Sequence, residues 1–145
     1  MKQELNSGST LDLIAYRLQR AKETLVEADY NAKGEYYNAA VNRLYYACYY
    51  AASALMLTNN LDSSSHKGIK TMLGLHFIKS GIIDVKYGRI YQQLFENRQS
   101  SDYEDFVYCD AELFNTLRPE ADEFVEKMIQ LCKNSVSPTS DRPLR

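Results

Sequence analysis

An arginine and a tyrosine stand five positions apart in the segment Arg98-Gln99-Ser100-Ser101-Asp102-Tyr103. The guanidinium of Arg98 is always charged, and its planar fork of N–H donors matches the oxygen atoms of a phosphate. The phenol of Tyr103 titrates at about pH 10, roughly three units above neutrality, which makes it a poor general base. The pair therefore predicts a phosphate-binding site more than an acid–base catalyst.

Two partners for Arg98 remain open from the sequence. Arg98 lies on the same helical line as Tyr91 and Leu94, so its charge is partly buried or at an interface and needs a partner. Asp102 is the local candidate, because residues at i and i+4 are neighbours on a helix. The alternative partner is a phosphate of RNA or of a nucleotide.

The role of Tyr103 depends on where its helix ends. In a continuous helix, residues five positions apart lie on different faces, so Tyr103 points away from Arg98. The run Ser100-Ser101-Asp102 favours a helix end, since such side chains compete for backbone hydrogen bonds. If the helix ends near Ser101, Arg98 and Tyr103 converge on one site.

A second group of candidates combines one charge with several aromatic rings. One amide and four tyrosines lie within seven positions of Arg43 in the sequence: Asn42, Tyr45, Tyr46, Tyr49 and Tyr50. Tyrosine and arginine stack on nucleic-acid bases, and they also anchor protein interfaces. The structural alternative is a buried Arg43 satisfied by tyrosine hydroxyls or by a carboxylate from another helix.

The chain has two histidines, His66 and His76. Imidazole is the side chain best suited to proton transfer at neutral pH. We expect His66, beside Lys67 at a helix start, to cap that helix or to face solvent. We expect His76 to be a core histidine with satisfied hydrogen bonds. Neither histidine is predicted to be catalytic.

Helices must position all of these residues. Glycine and proline are few, and apolar residues recur at spacings of three and four. The spacing predicts helices over residues 11–32, 35–57, 66–79, 84–101 and 110–133, with Ser9 or Thr10 capping the first and Gly81 ending the third. Pro119 either kinks the fifth helix or begins a new one. The predicted fold class is all-α.

Length and charge restrict the function further. The 145 residues fit one domain, which we place at residues 10–134, between a flexible N-terminus (1–9) and a flexible C-terminal tail (135–145). A formal charge of −2 argues against nucleic-acid binding by bulk charge and leaves a local basic pocket open. No apolar run reaches 18 residues, so no membrane span is expected.

The cysteine pattern argues against a metal site. Cys48, Cys109 and Cys132 are far apart and form no CxxC pair, so neither a disulfide framework nor a zinc site is predicted. We expect reduced thiols in a cytoplasmic protein, with no metal and no cofactor.

Three motifs together carry a resemblance. They are Arg43-Leu44-Tyr45-Tyr46-Ala47, Ser65-His66-Lys67-Gly68, and Arg98 followed by Asp102-Tyr103. In this order and spacing they resemble the HEPN superfamily, specifically its UPF0332-like branch. The resemblance implies an up-and-down bundle of about five helices that is commonly a homodimer. Many HEPN proteins are encoded beside a small MNT-type nucleotidyltransferase, as toxin and antitoxin.

The resemblance also implies roles for individual residues. Ribonuclease members use, without metal, an arginine followed after four to six residues by a histidine, and two copies meet across the dimer interface. Arg98 matches that arginine, whereas Tyr103 occupies the place of the histidine. If the chain is active, Arg98 and Tyr103 are its catalytic residues. Residues that bind RNA or nucleotide, or support the motif, are Gln99, Asp102, Arg43, Tyr46, His66 and Lys67.

Three functions follow as hypotheses. The favoured one is an accessory or binding protein that associates with RNA or with a partner nucleotidyltransferase and is weakly active or inactive as a nuclease. The first alternative is a metal-independent endoribonuclease toxin of a HEPN/MNT toxin–antitoxin pair, and the second is a purely structural interaction bundle. A related hypothesis makes Tyr103 the acceptor of a nucleotidyl group from the partner enzyme.

Overall fold

The computed structural model describes residues 7–103 and 109–135, without the side chains of residues 7, 8, 99–103 and 135. The described residues form α1 (Ser7–Lys33), α2 (Tyr37–Thr58), α3 (His66–Leu73), a π-helical turn (Gly74–Ile78), α4 (Val85–Tyr103) and α5 (Ala111–Ser135). No strand occurs in these ranges, so the predicted all-α class is confirmed. None of the described helices has both the length and the apolar character needed to cross a membrane.

Most predicted helix bounds agree with the structure to within two residues, but the start of α1 does not. α1 begins at Ser7, so Ser9 and Thr10 lie inside the helix and the prediction that they cap it is wrong. The polar residues before the apolar stripe also adopt a helical backbone.

Pro119 lies inside the fifth helix. α5 begins at Ala111 and continues through Pro119, so no new helix starts there. Asp110 precedes the helix, and its Oδ1 accepts a hydrogen bond from the Leu113 N–H at 2.9 Å. This bond satisfies one of the N–H groups that lack a partner within the first turn.

The third predicted helix is interrupted. The Lys79 N–H donates to the Gly74 carbonyl at 2.9 Å, which is the i to i+5 spacing of a π-helix. This wider turn changes the register, so Phe77 is buried and His76 is exposed. The prediction that His76 is a core histidine is therefore wrong. Gly81 ends the segment with φ +84°, as expected for a glycine stop.

α2 is the central helix and packs against α1, α3, α4 and α5. It is buried on nearly every face, as its sequence predicted. Buried alanines of α2, among them Ala40, Ala47 and Ala51, let the neighbouring helices pack closely against it. Ala21 and Ala28 of α1 are also buried. Because α2 has neighbours on several sides, its tyrosines can contact both α3 and α4.

All three cysteines are buried as free thiols. Burial raises the pKa of Cys48 and Cys109, and it raises the pKa of Cys132 to about 12. The thiolate, which is the reactive form, is therefore scarce at neutral pH. The cysteines act as small apolar side chains of the core.

Candidate functional site

Side chains from three helices meet at one place, which we call the tyrosine–histidine cluster. Its members are Tyr45, Tyr46 and Tyr49 of α2, His66 of α3, and Tyr91, Phe95 and Arg98 of α4. The cluster contains residues from all three sequence motifs. Its first and last members in the sequence, Tyr45 and Arg98, are more than fifty positions apart. The bundle brings them together because α3 and α4 both pack on α2.

Tyr45 is the centre of the cluster and is fully buried. Its hydroxyl lies 2.8 Å from His66 Nδ1 and 3.4 Å from the Tyr91 hydroxyl. Burial raises the pKa of Tyr45 to about 12, and it raises the pKa of Tyr91 well above its ordinary value. Both phenols therefore keep their protons at neutral pH and can act as hydrogen-bond donors.

These raised pKa values predict a loss of stability in alkali. Below pH ~10 the phenols of Tyr45 and Tyr91 are protonated in both the folded and the unfolded chain. Between pH ~10 and ~12 the unfolded chain ionises first, so we expect the contribution of Tyr45 to the free energy of unfolding to fall by up to ~2 kcal/mol. Urea unfolding at several pH values measures this slope.

The control compares a buried with an exposed phenol. Tyr45→Phe should flatten the stability profile above pH ~10, whereas Tyr16→Phe, on an exposed surface of α1, should not. Equal slopes in the wild type and Tyr45→Phe would contradict the buried position of Tyr45.

His66 is positioned by the start of α3. Ser65 is the N-cap, and its Oγ accepts a hydrogen bond from the Gly68 N–H at 2.9 Å. His66 is therefore the first helical residue and lies half-buried against α2, with its ring centroid 4.4 Å from that of Tyr49. The prediction that His66 caps the helix or faces solvent is wrong, because Ser65 caps it and tyrosines cover the imidazole.

Arg98 lies half-buried on the face of α4 that the apolar line predicted. Its guanidinium carbon is 5.5 Å from the centroid of the Tyr45 ring and 5.8 Å from that of Tyr46. Both distances are those of cation–π contacts. Arg98 and His66 thus contact the same two tyrosine rings.

The other residues of the Arg98 segment are only partly described. The side chains of Gln99, Asp102 and Tyr103 lie outside the described residues, and so does the predicted Arg98–Asp102 pair. The backbone of α4 is helical up to Tyr103, two residues beyond the helix end expected near Ser101. On such a helix, positions 98 and 103 are about 140° apart around the axis, on different faces.

Arg43 does meet a carboxylate from another helix. Its Nη1 lies 3.4 Å from Glu27 Oε1 of α1, and its Nη2 donates to Asn42 Oδ1 at 3.2 Å. The guanidinium carbon is also 4.9 Å from the Tyr46 ring centroid. The Tyr46 ring therefore contacts two arginines, Arg43 and Arg98. Lys67, in contrast, is exposed and lines a shallow pocket with Asp62 and Ser65.

Sequence reasoning missed two residues of the cluster and one cation beside it. The sequence pattern indicates only a core position for Tyr91 and gives Phe95 no functional role. Both lie on the α4 face of Arg98, at spacings of seven and three residues, and this periodicity was visible in the sequence. Lys70 of α3 also approaches, with Nζ 5.4 Å from the Phe95 ring centroid.

The cluster combines hydrogen-bond donors with buried and half-buried aromatic rings. Arginine and lysine supply cationic N–H donors, and the imidazole supplies a donor or an acceptor according to its tautomer. Within residues 7–103 and 109–135, no three His, Cys, Asp or Glu side chains are grouped as metal ligands. Cationic donors of this kind can bind an anion, and arginine and aromatic side chains can stack on a base.

Comparison with known proteins identifies relatives of the whole fold. A family model described as the HEPN domain matches residues 14–135. A "UPF0332 protein" of Thermotoga maritima is 34% identical over 126 residues, covering 85% of this chain and 96% of the relative. The "Putative toxin MJ0605" of Methanocaldococcus jannaschii is 33% identical over 133 residues, covering 92% and 98%. "Putative toxin MJ0142" of the same organism is 30% identical over 87 residues, covering 60% and 59%.

Proposed function

The chain belongs to the HEPN domain family, and we propose that it is a binding member of that family that holds the phosphate backbone of RNA at Arg98. The proposal includes weak or absent nuclease activity. The observation that carries it is the contact of the Arg98 guanidinium with the rings of Tyr45 and Tyr46, in a cluster that also contains His66.

The tyrosine rings prepare Arg98 for a phosphate. A guanidinium packed on aromatic faces has fewer rotamers to lose when it binds, so less entropy opposes the contact. Its planar donor edge matches two phosphate oxygens.

The cluster is basic even though the chain carries a formal charge of −2. Arg43, Lys70 and Arg98 each lie against one of its aromatic rings. Glu27 offsets part of the charge of Arg43. The local charge supports RNA binding that weakens as salt is added.

Weak nuclease activity is proposed because of the residue at position 103. Ribonuclease chemistry requires a group that takes the proton of the 2′-hydroxyl, and imidazole has a pKa suited to this at about 6.5. A phenol titrates at about 10 and carries out this step poorly at neutral pH. Tyr103 stands where the resemblance places that imidazole.

The test is the affinity for a fluorescein-labelled single-stranded RNA, measured by anisotropy at ~50 and ~200 mM salt. We expect Arg98→Ala to raise the Kd about tenfold or more, the equivalent of one lost charge-assisted hydrogen bond. The slope of log Kd against log salt should also fall by about one.

Arg89→Ala is the matched control. Arg89 is exposed on α4, nine positions before Arg98 and therefore on the opposite side of the helix. We expect it to change the Kd less than about twofold. Equal losses in the two variants, or no RNA binding by the wild type, would overturn the proposal.

Two relatives of Methanocaldococcus jannaschii bear the name "Putative toxin", and these names favour a ribonuclease toxin as the second candidate function. The same RNA incubated in EDTA separates the two functions. Cleavage that disappears in Arg98→Ala would favour the toxin, whereas intact RNA with tight binding favours the binding protein. The homodimer and the partner nucleotidyltransferase stay predictions, as does the nucleotidyl-acceptor role of Tyr103.

A further inference from the structure

We infer that Tyr45 is a positioning residue that holds neutral His66 in the tautomer with the proton on Nε2, so that His66 donates a hydrogen bond to a phosphate oxygen of the bound RNA. The identity of the ligand rests on the proposed function. The tautomer is a property of the protein alone and can be measured without RNA.

The direction of the hydrogen bonds follows from the two buried phenols. Tyr45 and Tyr91 are both almost completely buried, and each has one O–H proton to place. If Tyr91 donates to the Tyr45 oxygen and Tyr45 donates to His66 Nδ1, both protons are used. This direction leaves Nδ1 as the acceptor and places the imidazole proton on Nε2.

The opposite direction leaves a buried donor without an acceptor. If His66 Nδ1–H donated to Tyr45, then Tyr45 would donate to Tyr91. The Tyr91 hydroxyl, whose described hydrogen bond is with Tyr45, would then have a proton and no acceptor among the described residues. A buried donor left unsatisfied is costly, so the first direction is favoured.

The strengths of the two contacts agree with this direction. The 2.8 Å separation of the Tyr45 hydroxyl and Nδ1 is typical of a strong O–H···N bond, whereas 3.4 Å to Tyr91 is long for a phenol. Tyr45 therefore makes its principal hydrogen bond with His66. Burial also keeps Tyr45 protonated far above neutral pH, so the donor persists.

The placement of the imidazole explains why its tautomer matters for binding. Nδ1 faces the buried Tyr45, so Nε2, on the other side of the ring, is directed away from it. Arg98 contacts the same two tyrosine rings as His66. If a phosphate held by Arg98 reaches His66, an Nε2–H donor adds to its binding, whereas a lone pair at Nε2 would repel the phosphate oxygens.

Nitrogen NMR measures the tautomer directly. The chain has two histidines, and His76 is exposed outside the cluster. In His76→Gln, the ring-nitrogen signals therefore come from His66 alone. Spectra of protein labelled with ¹⁵N-histidine would be recorded at about pH 8.5, where free imidazole is neutral. We expect one dominant form with the proton on Nε2.

Two tyrosine-to-phenylalanine variants test whether Tyr45 determines the tautomer of His66. Tyr45→Phe keeps the buried ring and removes the donor, so we expect a mixture of tautomers and an increase in the RNA Kd of about threefold or more. Tyr91→Phe should keep the proton on Nε2, because Tyr45 still donates to Nδ1. Tyr87→Phe, a buried tyrosine of α4 outside the cluster, should change neither the tautomer nor the Kd.

The outcomes separate this inference from the proposed function. A wild-type proton on Nδ1, or an unchanged tautomer in Tyr45→Phe, overturns the inference even if RNA binds. If the wild type binds no RNA, the proposed function and the ligand named here both fail. In that case the NMR result still shows whether Tyr45 sets the His66 tautomer.

Discussion

Phe124→Ala is expected to lower the free energy of unfolding by about 3–5 kcal/mol, the usual cost of truncating a fully buried phenylalanine. Phe124 lies in α5 and is completely buried. Its ring centroid is 5.4 Å from that of Tyr91 and 6.3 Å from that of Tyr87, both in α4. Alanine would leave a cavity between α4 and α5, directly beneath Tyr91.

Urea unfolding followed by circular dichroism measures this loss. Leu75→Ala removes an apolar side chain that is 53% exposed, so it should change the free energy of unfolding by less than about 0.5 kcal/mol. Phe124→Leu retains most of the packing volume and should cost less than the alanine variant. A loss below about 1 kcal/mol for Phe124→Ala would contradict the packing of α5 on α4.

Gly68→Ala is expected to cost about 2–3 kcal/mol, because it combines overpacking with the loss of a helix cap. A Cβ atom at position 68 would clash with Ser63 Oγ, and it would lie 2.9 Å from Ser63 Cβ and 2.8 Å from Ser65 Oγ. The loop before α3 must move to accept it. That movement disturbs the Ser65 cap and displaces His66 from the tyrosines, so RNA affinity should fall as well.

Two further variants make this prediction specific. Ser63→Gly removes both Ser63 atoms that the new Cβ would meet, so we expect Ser63→Gly with Gly68→Ala to recover about half of the loss. Gly74→Ala is the matched control, because a Cβ there meets nothing within 4 Å and the backbone is already helical. It should be neutral or stabilising by up to about 1 kcal/mol. Equal effects of Gly68→Ala and Gly74→Ala would refute the steric argument.

The fold class could be predicted from the sequence because helix formation is a local property. Apolar residues spaced by three and four place one stripe on each helix, and this pattern needs no knowledge of the partner. The all-round apolar character of α2 likewise predicted its central position. The π-helical turn at Gly74–Ile78 was not predicted, since its i to i+5 bonds leave no distinct pattern in so short a segment.

The candidate site was predicted in separate pieces. Arg98, Arg43 and the tyrosines of α2 were identified from residue type and spacing, and Arg98 was placed on a partly buried face. The prediction that His66 caps its helix or faces solvent was wrong, because its neighbours in sequence are polar while its neighbours in space are tyrosines. Periodicity shows which residues share a face of one helix, and it does not show which face of the next helix meets them.

The amino-acid sequence by itself determined the helices, the central position of α2 and the guanidinium at position 98. Only the tertiary structure decided that Tyr45, His66 and Arg98 belong to one cluster. Residues 45 and 66 are separated by 21 positions, and their 2.8 Å hydrogen bond depends on how α3 packs against α2. Such a contact follows from the packing of the two helices, which no local spacing rule encodes.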